Sequence, residues 1–139
     1  MRYINIKAVL LGAVVGVLLD LLLGGVLMLG FAGVAFLPGI SESQAQRAIA
    51  EAVLRPTFLL ASLVVGSITS VVAGYVSARW AKRLPYANSA AVGALGMLLG
   101  LVFVDGDLPL WFNILYLGSV LPMALVGGHL ARQAEYAEA

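Results

Sequence analysis

The chain has no cysteine at all, one histidine and few charges: 8 Lys and Arg and 7 Asp and Glu in 139 residues. The missing cysteines exclude disulfides, thiolate metal sites and thiol nucleophiles. A single histidine, His129, cannot build an imidazole metal site, and no phosphate loop, metal-binding helix motif, nucleophile elbow or paired catalytic acids occur. With only 11% charged residues against 62% hydrophobic ones, there is too little polar surface to cover a water-soluble globule of this length.

What the chain does have is long apolar runs. The mean hydropathy is +1.03, and four segments approach the roughly 20 apolar residues that a helix needs to cross a bilayer. They fall at about 8–29, 57–78, 87–104 and 108–130. Strands would leave backbone groups unsatisfied in hydrocarbon, so the expected fold is all-α: an integral membrane four-helix bundle forming a single domain over 1–139. Arg2 and Lys7 before the first run imitate a signal peptide, but the run is far longer than the roughly 7–15 residues of a signal core. It reads as a retained span, broken at the latest by Pro38-Gly39.

Charge placement orients the bundle. Arg2 and Lys7 precede span one, Arg79, Lys82 and Arg83 link spans two and three, and Arg132 follows span four. The positive-inside rule therefore puts both termini in the cytoplasm. Tyr3, Tyr75, Trp80 and Tyr86 at that boundary and Trp111 at the other fit the aromatic belts of a membrane protein. Arg79, Lys82 and Arg83 are candidates for anionic lipid headgroups.

Two connections face outward. In "SESQAQRAIAEAVLRP" a helix over about 43–54 is expected, with Ser41 or Ser43 as N-cap, a Gln three residues on, and Pro56 beyond its end. Ala45, Ala48, Ile49, Ala52 and Val53 make its apolar face, and Arg47, Glu51 and Arg55 lie on the other side. It reads as an amphipathic connector on the outer interface, with a lid or partner-docking helix as the functional alternative. "VDGDLP", 104–109, reads as a tight turn with Asp107 as cap and Pro109 in the first turn of span four.

The clearest internal pattern is steric. Ser62, Gly66, Ser70, Gly74 and Ala78 are small at every fourth position of span two, and Gly12, Gly16, Asp20 and Gly24 keep the same spacing in span one. Such rows let helix backbones approach closely in lipid, so a tight antiparallel contact between spans one and two is expected.

Asp20 is the one charge inside a span. It stands twelve residues beyond Ala8, roughly 18 Å along the helix and near the midplane. Its insertion cost of about 2.5–3.5 kcal/mol is outweighed by fourteen Leu and Val neighbours, worth roughly 6 kcal/mol together. Its place in the small-residue row turns it toward protein. No Lys or Arg lies in any span, so it has to find partners among hydroxyls or backbone carbonyls. Ser67, Thr69 and Ser70 in span two and Tyr116 and Ser119 in span four lie at comparable depth, and Ser70, on the small-residue row, is the expected partner. The aromatics that often accompany a carboxylate cation site are absent from span one between Asp20 and Phe31. His129, at the inner end of span four, is expected to gain from a helix C-terminus, and Pro122 to bend that span.

The stretch "AGYVSARWAKRLP", 73–85, followed by a further Gly-rich span, resembles small four-span bacterial membrane proteins of unassigned function. The resemblance implies a bacterial inner-membrane location and no particular activity. Two functional readings remain. In the first, the chain is a non-enzymatic accessory or assembly subunit packing against a larger membrane protein or further copies of itself. In the second, it is a small oligomeric transporter or channel with Asp20 as its proton or ion site. No cofactor and no nucleic-acid partner is expected; the lipid bilayer is the partner both readings share.

Overall fold

The computed structural model describes residues 4–102 and 107–137. They form five helices: α1 (Ile6–Ala32), α2 (Glu42–Val53), α3 (Pro56–Ala81), α4 (Pro85–Val102) and α5 (Leu110–Ala137), with a 3-10 turn at Gly33–Phe36 continuing α1. Four of them, α1 with its 3-10 turn, α3, α4 and α5, are long and apolar enough to cross a membrane. Arg2, Tyr3 and the first half of the 104–109 turn, including Asp105, lie outside the described residues.

Local chemistry sets the boundaries. Asn5 caps α1, its side chain accepting from the Ala8 amide at 3.2 Å. Ser41 and Gln44 close a reciprocal capping box on α2, and Pro56 and Pro85 occupy first turns, where a missing N–H costs nothing. α3 ends at Lys82, which with Leu84 takes the left-handed conformation (φ 53° and 50°) to reverse the chain into α4. Pro122 sits inside α5 without ending it. That helix runs well past the last apolar stretch to Ala137, because "ARQAEYA" has strong helix formers even where hydropathy has fallen.

α3 is the central element, packed against α1, α4 and α5, while α1 touches α4 less and α5 not at all among the described residues. Apart from alanines, the most completely shielded side chains are mainly polar: Asn88, Ser77 and Ser89 at 0% exposure and Thr69 at 1%, beside Leu59. Large apolar residues such as Leu18, Leu22, Val26, Leu98 and Ile114 point outward. Apolar side chains facing out and hydrogen-bonded small polar ones facing in is the distribution that lipid, rather than water, selects. α2 turns its apolar face, with Ala52 buried, against α1 and the 3-10 turn, and leaves Arg47, Glu51 and Arg55 exposed.

The small-residue rows meet partners other than those their spacing implies. Gly12 and Gly16 of α1 lie against Ala73 and Ser77: a methyl group on Gly12 would come 2.6 Å from the Ala73 carbonyl oxygen and 2.8 Å from Ser77 Cβ. The row Ser62, Gly66, Ser70, Gly74 and Ala78 is rotated away from α1. Gly66 faces the Tyr116 ring, and Gly74 abuts the Ala124 backbone of α5. The cause is angular: Ala73 and Ser77 precede Gly74 and Ala78 by one residue, about 100° around the helix, so one row receives α1 and the next receives α5. Gly24 departs further from expectation, with no neighbour within 4 Å.

Candidate functional site

The antiparallel register that seats Gly16 on Ala73 continues one step of four residues along each helix, and there Asp20 meets Thr69. Thr69 Oγ1 lies 2.6 Å from Asp20 Oδ1 and 3.0 Å from the Gly66 carbonyl oxygen. The partner is thus Thr69 and not Ser70, whose hydroxyl donates at 2.7 Å to the Gly66 carbonyl of its own helix. Ser67 donates to the Leu63 carbonyl and Ser119 to the Tyr116 carbonyl, each within its own helix. This back-bonding satisfies a hydroxyl without any partner helix.

Asp20 also borders a cavity of about 490 Å³ lined by α1, α3, α4 and α5. Its wall is mainly apolar, formed by residues such as Val17, Val92, Leu99 and Val120, with Gly93, Gly96 and Gly100 giving a flat face on α4. Ser62, Thr69, Ser70, Asn113 and Tyr116 supply the uncharged polar atoms, and among the described residues Asp20 is the only charged one lining it. The aromatics missing from α1 come from α5. Phe112 and Tyr116 stack with ring centroids 5.7 Å apart on the cavity wall, and Tyr116 is near enough for Asp20 to act on it electrostatically. No pattern within span one could have revealed them, because they arrive through tertiary packing.

One end of the cavity is shut and the middle is open. At the end bearing the amino terminus, Val9, Ala73, Val92 and Ala124 form a tight cluster. Next to it Asn88 ties three segments together: Oδ1 accepts from the Asn5 amide at 2.9 Å, and Nδ2 donates to the Arg83 and Leu84 carbonyls, each at 2.9 Å. Ser77 donates to the Asn88 carbonyl, and Ser89 to those of Gly74 and Pro85. Beyond Gly16 the packing of α1 loosens, with no residue from Val17 to Phe31 buried. α1 rejoins the bundle through Phe31, whose ring meets Phe58 edge-on at 5.5 Å, and through buried Ala32. Asp20 stands in this slack stretch and is exposed in the isolated chain.

Lys82 and Arg83 are exposed at the α3–α4 turn, and Arg79 in the last turn of α3 is half-buried. His129 is not at a helix terminus, since α5 continues for two further turns, and the dipole effect fades within the last turn. Its partners are local: the Tyr86 hydroxyl lies 2.8 Å from Nδ1 and the Gln133 amide 2.9 Å from Nε2. Arg132 sits over the rings of Tyr86 and Tyr136. Among the described residues, no three His, Cys, Asp or Glu side chains gather to hold a metal ion.

No protein-family model, no curated protein and no solved structure matches this chain.

Proposed function

We propose that this chain is a small non-enzymatic transporter of a bacterial inner membrane, in which Asp20 loads and releases a proton or small cation. The observation that carries the reading is the position of the Thr69 hydroxyl between two acceptors. A threonine hydroxyl has one proton and two lone pairs. When Asp20 is ionised, Thr69 donates to it. When Asp20 is neutral, its own O–H donates to Thr69 Oγ1, whose proton turns to the Gly66 carbonyl. Both charge states are satisfied by a hydroxyl rotation with no movement of the helices, which is what a group that cycles between them in a low-dielectric setting needs. An intramembrane carboxylate on a cavity is by default a functional group.

Orientation follows from charge. Lys7, the α3–α4 turn with Lys82 and Arg83, and Arg132 gather at one end, where Asn5 bonds Asn88 and Tyr86 bonds His129. The positive-inside rule makes that end cytoplasmic. α2 then lies on the outer interface, and the cavity is closed toward the cytoplasm. Exposed Lys82 and Arg83 are suited to anionic headgroups.

The rival reading, an accessory subunit bound to a larger membrane protein or to further copies of itself, has its own support. Gly24, Gly25 and Gly30 in the slack part of α1 have nothing within 4 Å, leaving a surface on which another helix could pack closely. Proteoliposomes carrying an imposed pH gradient separate the two. Transport predicts flux in the wild type and none in a correctly assembled Asp20→Asn variant. A wild type without flux that copurifies stoichiometrically with a large membrane protein establishes the accessory role.

A further inference from the structure

We infer that the cavity beside Asp20 takes an amphiphilic organic ammonium ion: one positive charge on a compact apolar body. This rests on the transport reading and names its substrate class. Three observations converge on that chemistry. Among the described residues the only charged group on the wall is a carboxylate, so an anion is repelled and a neutral molecule leaves the acid without a counter-charge. The remaining surface is mostly aliphatic and glycine, which stabilises carbon and not a hydrated ion. A bare divalent cation wants about six or more oxygen ligands, whereas among the described residues Asp20 stands alone as an acid on this wall, and the neighbouring Ser70 hydroxyl is turned to its own backbone.

The aromatic pair completes the match. The stacked rings of Phe112 and Tyr116 lie on the α5 wall of the same space, and the electron-rich face of such a ring attracts a cation bound near Asp20 alongside the carboxylate. A volume of about 490 Å³ lies within the roughly 300–1,000 Å³ of pockets that enclose drug-sized molecules. It is ample for a benzyl or short alkyl ammonium and far larger than a proton or alkali ion needs. Asp20 is exposed in the isolated chain, in the stretch where α1 is least packed, so the ammonium group reaches it without displacing a buried side chain.

The test is binding of benzyltrimethylammonium, whose charge is permanent, against neopentylbenzene, its uncharged carbon isostere. Affinities are measured by titration calorimetry on the full chain in lipid nanodiscs, with empty nanodiscs as baseline. The wild type should prefer the cation by at least about tenfold, as one desolvated charge contact confers. Asp20→Asn should abolish that preference. Val17→Trp, which adds bulk on the cavity wall at a half-exposed position, should weaken both ligands together. Equal binding of the two ligands to the wild type, or a preference that survives in Asp20→Asn, overturns the inference without needing any variant to be more stable than the parent. If neither ligand binds while the wild type still carries protons, the substrate class is wrong and the transport reading stands. If the cation binds selectively yet neither it nor protons cross a vesicle membrane, the site stands and transport falls.

Discussion

The Thr69 hydroxyl lies 2.6 Å from Asp20 Oδ1 and donates into the one carboxylate placed midway along a membrane-length helix. Thr69→Val keeps the shape and removes the donor. We expect it to lower resistance to unfolding in mixed micelles by about 1–3 kcal/mol, as for a hydrogen bond to a charged group. Thr69→Ser, which restores the hydroxyl, should recover most of that loss. A loss in Thr69→Ser with none in Thr69→Val would show that the methyl group, not the hydrogen bond, matters at this position.

The two ends of the α1 glycine row should behave oppositely. Gly12→Ala places a methyl group 2.6 Å from the Ala73 carbonyl oxygen, where backbone must move, and should clearly lower the thermal stability of the detergent-solubilised protein. Gly24→Ala meets nothing within 4 Å and should be neutral or stabilising by up to about 1 kcal/mol through helix propensity. If Gly24→Ala instead disrupts a complex while leaving the monomer's melting unchanged, a partner helix covers that face, as the accessory reading requires.

These two positions also show how far the sequence was legible. Four apolar helices followed from the length and composition of the runs, and the approximate extent of α2 from Ser41 or Ser43 with its Gln three residues on and from Pro56 beyond the end, because those signals are local. The choice between Ser70 and Thr69 was not legible. Two small-residue rows run side by side on α3, and which one receives α1 depends on a rotation of about 100° that packing decides. Reading Ser77, Ala73 and Thr69 as a second row opposite Gly12, Gly16 and Asp20 would have found the pair. Tyr116 was legible as a residue at the depth of Asp20, but the cavity that brings it and Phe112 onto one wall was beyond reach, since it arises from the way four helices diverge and no single helix face records it.

Asn88 should prove the fastener of the closed end. Asn88→Ala removes the acceptor of the Asn5 amide and the donor to the Arg83 and Leu84 carbonyls, a loss of about 1–3 kcal/mol for buried groups left unpaired. Trypsin digestion in mild detergent reads this directly. Cleavage after Lys82 and Arg83 should be markedly faster in the variant, and unchanged cleavage would mean that the turn is held by other contacts.

Because the chain contains no cysteine, single introduced thiols report topology without background. Glu51→Cys on the exposed face of α2 should react with a membrane-impermeant maleimide added to intact cells. Lys82→Cys, in the α3–α4 turn, should react only after the membrane is opened. The reverse pattern would invert the bundle, and labelling of both from outside would contradict four crossings.

The account depends most on Asp20 changing its protonation state while it stays bonded to Thr69, and infrared difference spectroscopy between acidic and alkaline conditions observes that carboxyl group itself. The expected result is a protonated-carboxyl C=O band that titrates in the wild type, shifts in frequency in Thr69→Val and is missing from Asp20→Asn. A spectrum in which no such band titrates, or one that Asp20→Asn leaves unaltered, would contradict it.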